Sequence, residues 1–174
     1  MQDLWVFGYA SLMWRPGFDV EETVRARLNG YHRSLCIHSF EHRGTRERPG
    51  LVMGLDRGGS CVGLALRVGG AKRDDVLQYL RERELVTHVY AERWLKVLLS
   101  DRRTVEAVTY VVDRSHEQYA GKLNVTTAVE TVCGSRGKAG PNEDYVLNTA
   151  EHLSELKIRD RWLEAVAMGI RAKG

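Results

Sequence analysis

Glu84 has an unusual setting for a carboxylate. A helix is expected from about Ala71 to Leu85, and at 100° per residue Val76, Leu77 and Leu80 share one arc of it. Glu84 falls inside that arc, between Leu80 and Leu77, while Glu82 falls on the opposite, charged side. A carboxylate set in an apolar stripe loses hydration and holds its proton more tightly. That suits a general base working near neutral pH. The structural alternative is a helix-end glutamate that snorkels to water or pairs with an arginine such as Arg81 or Arg43. The residues alone leave both readings open.

A second candidate is the turn Gly8-Tyr9-Ala10-Ser11-Leu12-Met13-Trp14. Its small residues let a ligand approach the backbone, and consecutive N–H groups can form an anion-binding nest. A tight turn with Leu12, Met13 and Trp14 in the core is the plainer explanation. The loop Glu41-His42-Arg43-Gly44-Thr45-Arg46-Glu47-Arg48-Pro49-Gly50 carries arginines able to grip a carboxylate in a fork, or is simply solvated. Gly134 to Asn142 leads into a helix with Tyr145 one turn inside, a setting for an anionic group or a plain connection.

Other chemistries are disfavoured. No GxxxxGK[ST] is present, so a nucleotide P-loop is not expected. Cys36, His38 and His42 lack the paired spacing of a zinc site. Neither Cys61 nor Cys133 has a neighbouring signal of an activated nucleophile.

These candidates must be positioned by a modest number of elements. Residues 4–9 read as a buried strand ending at the turn. Residues 33–40 alternate weakly, with Leu35 and Ile37 on one face and Cys36 and His38 on the other. Residues 51–55 and 61–68 read as strands around a turn at Asp56-Arg57-Gly58-Gly59-Ser60. Two more strands follow near 93–100 and 105–112, then helices at about 126–133, 142–156 and 160–171. Pro141 and Asn142 mark a helix start, with Glu143 and Asp144 complementing its dipole. Strands early and helices late give an α+β order, with no βαβ repeat.

The 174 residues fit one domain, 1–174, with 43% hydrophobic and 28% charged residues. A net charge of +3 slightly favours an acidic small molecule and is too weak for nucleic acid. Nothing approaches the ~20 apolar residues of a membrane span. Three separated cysteines and an N-terminus without a basic, then apolar, leader suggest a cytoplasmic protein. The absence of a long unpaired apolar stripe suggests a monomer.

Together the segments resemble the ChaC-like γ-glutamylcyclotransferases. Val6-Phe7-Gly8-Tyr9-Ala10-Ser11-Leu12-Met13-Trp14-Arg15-Pro16 looks like that family's opening signature, and His42-Arg43-Gly44 like its His-Arg-Gly. Tyr79-Leu80-Arg81-Glu82-Arg83-Glu84-Leu85 resembles the helix end carrying its catalytic glutamate, which maps to Glu84. Tyr119-Ala120-Gly121 and Gly137 to Leu147 resemble later motifs, in the right order along nearly the whole chain. The resemblance implies a small mixed β-barrel flanked by helices. It also implies cleavage of glutathione to 5-oxoproline and Cys-Gly without a metal or organic cofactor. Glu84 would be the general acid/base, and Val6, Phe7, Gly8, Tyr9, Ala10, Ser11, Leu12, Arg43 and Tyr145 would bind substrate. Alternatives are a cyclotransferase for other γ-glutamyl amines or amino acids, a non-catalytic γ-glutamyl-peptide sensor, and a weak RNA-binding barrel lacking aromatic stacking platforms. The family usually has Gly where this chain has Ala10, which would be strained at a positive φ. It also often has Gly-Tyr after its glutamate, where this chain inserts Val86-Thr87-His88-Val89-Tyr90.

Overall fold

The computed structural model describes residues 2–174. Five strands close a mixed barrel: β1 (Leu4–Gly8), β2 (Glu22–Ser39), β3 (Gly50–Val68), β4 (Tyr90–Leu99) and β5 (Thr104–Val112), in the order β1-β3-β2-β4-β5. Four helices accompany it: α1 (Arg73–Glu84), α2 (Val125–Val132), α3 (Asn142–Glu155) and α4 (Arg161–Lys173). A two-strand hairpin, β6 (Arg136–Gly137) with β7 (Gly140–Pro141), precedes α3. The α+β order expected from the residues and the mixed β-barrel flanked by helices implied by the family resemblance are both observed. The chain forms two compact units, residues 1–33 with 55–116, and residues 34–54 with 117–174.

In the first unit, β1 pairs antiparallel with β3, from Leu4 opposite Val68 to Gly8 opposite Leu64. Its other edge meets β5 in parallel at Val6 and Val108, so β1 has no free edge. β4 and β5 pair along their whole length, from Tyr90 opposite Val112 to Leu98 opposite Thr104. The apolar arc of α1, Val76, Leu77 and Leu80, packs on Leu4, Val6, Leu12, Leu66, Val68, Val108 and Tyr110. Gly63 allows β3 to approach the end of β1: a Cβ there would lie 2.2 Å from the Gly8 carbonyl oxygen and 2.9 Å from Phe7 Cζ.

The second unit holds the C-terminal helices. Asn124 caps α2 by accepting from Thr127 N–H at 2.8 Å, and Asp160 caps α4 by accepting from Leu163 N–H at 3.0 Å. α4 packs closely on α2, where a Cβ on Gly169 would stand 2.7 Å from Val129 Cγ2. Asn142, fully buried at the start of α3, accepts from Leu51 N–H and donates to the Leu51 carbonyl, both at 2.8 Å. It thereby ties the helix start to β3.

Three expectations need correction. The strand at 33–40 belongs to an 18-residue strand that begins at Glu22. Its Cys36 is as buried as Leu35 and Ile37, so both faces are covered there. Residues 56–60 do not form a turn, because β3 runs straight through them. Gly58 and Gly59 take positive φ values of 105° and 67° inside the strand. Glycine does this without cost, so a glycine pair that reads as a turn bends a continuous strand instead.

Candidate active site

Glu84 is the last residue of α1, and its side chain is 17% exposed. Glu82, two residues earlier, is exposed and accepts from Gln78 Nε2 at 3.2 Å. The helix face therefore separates the two carboxylates as the apolar arc implied. Burial weakens the acidity of Glu84, and the neighbouring Arg83 guanidinium, Nε to Oε1 at 3.4 Å, opposes part of that effect. The pairing with an arginine that the structural alternative allowed is therefore present, made by Arg83 and not by Arg81. Arg81 instead forks onto Glu92 of β4, at 2.9 and 3.0 Å.

Glu92 is driven the other way. Its two bonds from Arg81, together with a bond from the Tyr110 hydroxyl at 3.0 Å, hold it more acidic than an ordinary glutamate. Tyr110, buried on β5, has its hydroxyl pushed far up by burial and then by the Glu92 charge, with a smaller contribution from Glu84. Two carboxylates near one end of α1 therefore have opposite tendencies, Glu92 ionised and paired, Glu84 prone to hold a proton. Such a division is how one site supplies both a fixed charge and a proton carrier.

The turn after β1 is built to present amides. Ser11–Met13 forms one 3-10 turn, closed by Met13 N–H to the Ala10 carbonyl at 2.9 Å. The amides at its beginning precede that first closing bond and have no acceptor within the turn. Their directions are fixed by what holds the carbonyls. Arg33, buried at 8% exposure, donates through Nε to the Tyr9 carbonyl and through Nη2 to the Val62 carbonyl, both at 2.6 Å. Across a trans peptide the C=O and the following N–H point in opposite directions. The Ala10 N–H therefore points away from Arg33. By the same geometry the bond to the Ala10 carbonyl turns the Ser11 N–H away from Met13. Gly8 makes room for this turn, since a Cβ there would lie 3.2 Å from Leu12 Cβ and 3.3 Å from Met13 Cγ. Ala10 has φ −144°, so its methyl group carries no left-handed strain. Val6 and Phe7 are fully buried, and Tyr9, Leu12 and Met13 are buried. The signature thus supplies core packing through its side chains and amides through its backbone.

Arg83 joins these two parts. Its Nη2 donates to Ser11 Oγ at 3.0 Å. Its Nη1 reaches the Arg15 carbonyl at 2.9 Å, the Pro16 carbonyl at 3.1 Å and the Tyr79 hydroxyl at 3.2 Å. Arg33 and Arg83 were both missed as contributors. Arg33 could be found from the alternation that buries Leu35 and Ile37, because position 33 shares their face. Arg83 follows Tyr79 by one helical turn, the spacing of facing side chains.

In the second unit, Arg43 and Tyr145 come together. The guanidinium lies over the Tyr145 ring, 5.5 Å from its centre, and donates to the Pro141 carbonyl at 3.1 Å. The Tyr145 hydroxyl accepts from Met53 N–H at 2.9 Å. Gly137 and Gly50 permit this packing, since a Cβ on either would lie 2.3 Å from a backbone oxygen, of Glu41 and of Arg43 respectively. The segment after Glu84 places Val89 in the core and Tyr90 at the first position of β4, packed beside the cluster that holds Leu80 and Tyr110. Among the described residues, no three His, Cys, Asp or Glu side chains gather as metal ligands.

Comparison with known proteins gives this arrangement a setting. The chain is 30% identical over 168 residues to the glutathione-specific γ-glutamylcyclotransferase of Escherichia coli (strain K12), covering 97% of this chain and 73% of that one. It is 31% identical over 171 residues to the glutathione-specific γ-glutamylcyclotransferase 1 of Mus musculus, covering 95% and 77%. The fold matches the crystal structure of a yeast γ-glutamylcyclotransferase specific to glutathione, with a TM-score of 0.87 at 19% identity over 99% of this chain and 97% of that one. The family model described as ChaC-like protein matches residues 4–173, and the chain belongs to that family.

Proposed function

We propose that this chain is a γ-glutamylcyclotransferase that cleaves glutathione to 5-oxoproline and Cys-Gly. The observation that carries the proposal is Glu84: a mostly buried carboxylate of weakened acidity, tied through one guanidinium to the Ser11–Met13 turn, whose first amides have no acceptor within it.

The reaction needs little beyond this. The α-amine of the γ-glutamyl group attacks its own δ-carbonyl, forming the ring C–N bond, and the amide bond to cysteine breaks. Glu84 takes the proton that the attacking nitrogen loses and returns it to the departing cysteinyl amine. A positioned base of this kind contributes about 10²–10⁴ in rate. Nucleophile and carbonyl belong to one molecule, so the protein must chiefly hold the folded-back conformer. The negative charge growing on the carbonyl oxygen needs donors already in place, and the Ala10, Ser11 and Leu12 amides are assigned that part. No step requires a metal or organic cofactor. The proton transfer and charge stabilisation rest on the first unit, and Arg43 and Tyr145, which pack together in the second, keep their assignment to substrate binding.

We read residues 1–174 as one such domain, monomeric and cytoplasmic. Among the described residues Cys36, Cys61 and Cys133 are not joined in disulfides, which supports a reducing compartment. The large exposed apolar side chains, Val86, Leu98 and Met168, lie on separate segments, which supports a monomer. No helix among the described residues is long and apolar enough to cross a membrane.

The substrate assignment is tested by 5-oxoproline release from glutathione and from γ-glutamylalanine, with EDTA present. Faster release from glutathione is expected. Release from γ-glutamylalanine alone would move the assignment to γ-glutamyl amino acids. Tight binding of glutathione without release would replace the enzyme with a sensor.

A further inference from the structure

Arg83 has more partners than a helix-end arginine needs. Its side chain is 22% exposed, and its donors are spread over five separate groups. Nη2 meets the Ser11 hydroxyl. Nη1 meets the carbonyls of Arg15 and Pro16 and the Tyr79 hydroxyl, and Nε faces Glu84 at 3.4 Å. The residues that receive it are themselves fixed. Phe18 packs edge-on to Tyr79 with ring centres 6.1 Å apart. Gly17 has φ +81°, and a Cβ there would lie 2.1 Å from the Tyr79 hydroxyl. Only glycine lets the 15–17 backbone come this close to Tyr79 and offer two successive carbonyls to one guanidinium. The planar fork matches such a spread of acceptors, and an ammonium does not.

We propose that Arg83 is a positioning residue that holds the amide-bearing turn at Tyr9–Leu12 and the Glu84 carboxylate in one fixed relation. This rests on the cyclotransferase reading above, because it assigns those two groups to opposite sides of one transferred charge. Arg83 acts through them: Ser11 Oγ on one side, Glu84 Oε1 on the other. It also supplies the positive charge nearest Glu84 on α1. Facing from β5 is Tyr110, whose hydroxyl is bonded to Glu92 of β4, and Glu92 is already neutralised by Arg81. Loss of Arg83 thus leaves Glu84 without its opposing charge, and it holds its proton to higher pH.

The test compares R83M and R83K with wild type, following kcat and KM for 5-oxoproline release across pH. R83M is expected to lower kcat/KM on the order of 10²-fold, as misplacement of a reacting group does, and to move the acidic limb of the profile upward. R83K keeps the charge, so its limb stays at the wild-type position while kcat/KM recovers only in part. Activity that falls in R83M only in proportion to the folded fraction, with the limb unmoved, overturns the proposal, as does full activity in R83M. If the wild type releases no 5-oxoproline, the cyclotransferase reading fails by itself. The Arg83 proposal is then read from the 13C titration of Glu84 and the exchange rate of the Met13 amide, whose bond to the Ala10 carbonyl closes the turn. R83M must raise the first and quicken the second, and unchanged values overturn it.

Discussion

Replacing Glu84 by glutamine keeps the shape of the side chain and removes the charge that burial disfavours. Because the folded carboxyl is less acidic than an exposed one, the folded state binds its proton more tightly than the unfolded state does. Stability contributed by this position therefore falls as pH rises from the unfolded value, about 4.3, through the folded one, and the loss is complete above it. The E84Q chain lacks that fall. At 17% exposure, with one partner at 3.4 Å, the buried carboxylate is compensated only in part. An imperfectly satisfied buried polar group costs about 1–3 kcal/mol. With Arg83 in place we take about 1 kcal/mol, or about 2–4 °C in Tm for a chain of this length. Thermal unfolding of wild type, E84Q and E82Q at pH 8 and pH 4 checks it. E84Q should melt higher than wild type at pH 8 and level with it at pH 4. E82Q, which changes an exposed group, should show no such pH-dependent gain. An E84Q chain that melts below wild type at pH 8, or gains equally at both pH values, would refute the burial argument.

Two further outcomes follow from the packing. Gly63→Ala places a methyl group 2.2 Å from the Gly8 carbonyl oxygen, so β1 must shift just before the turn; a loss of about 3 kcal/mol is expected in urea unfolding, with a fall in turnover beyond the change in folded fraction. Asn142→Ala strands the buried N–H and C=O of Leu51, and a loss of about 2–4 kcal/mol is expected by the same measurement.

The burial of Glu84 was legible because helices announce their faces. The i, i+1, i+4, i+8 pattern of Val76, Leu77, Leu80 and Glu84 needs only the helical repeat, and Pro141 with Asn142 marks a helix start by local rules. The first half of β2 was not read, although Val24, Ala26 and Leu28 alternate with Thr23, Arg25 and Arg27 in the period of a half-buried strand. Its charged outer face and Gly30 mask the pattern. Gly58-Gly59 misled in the opposite direction, since positive φ marks a turn or a bend within a strand and local sequence does not separate them. The roles of Arg33 and Arg83 lay out of reach for a different reason. Their positions carry a spacing signal, the alternation through Leu35 and Ile37 for Arg33 and the helical turn from Tyr79 for Arg83. Their distant partners, the Tyr9, Val62, Arg15 and Pro16 carbonyls and the Ser11 hydroxyl, leave none. The loop setting of Arg43 points to a grip for a carboxylate; in the folded chain it also donates to the Pro141 carbonyl and lies over the Tyr145 ring, contacts that its loop did not announce.

The central claim is that Glu84 carries the proton in a cyclisation of glutathione. Purified wild type, E84Q and E82Q, each shown to be folded, should be assayed for 5-oxoproline release from glutathione under saturating substrate. The account predicts a fall in kcat of about 10²–10⁴ for E84Q and near wild-type turnover for E82Q. Equal turnover by E84Q and E82Q would contradict it.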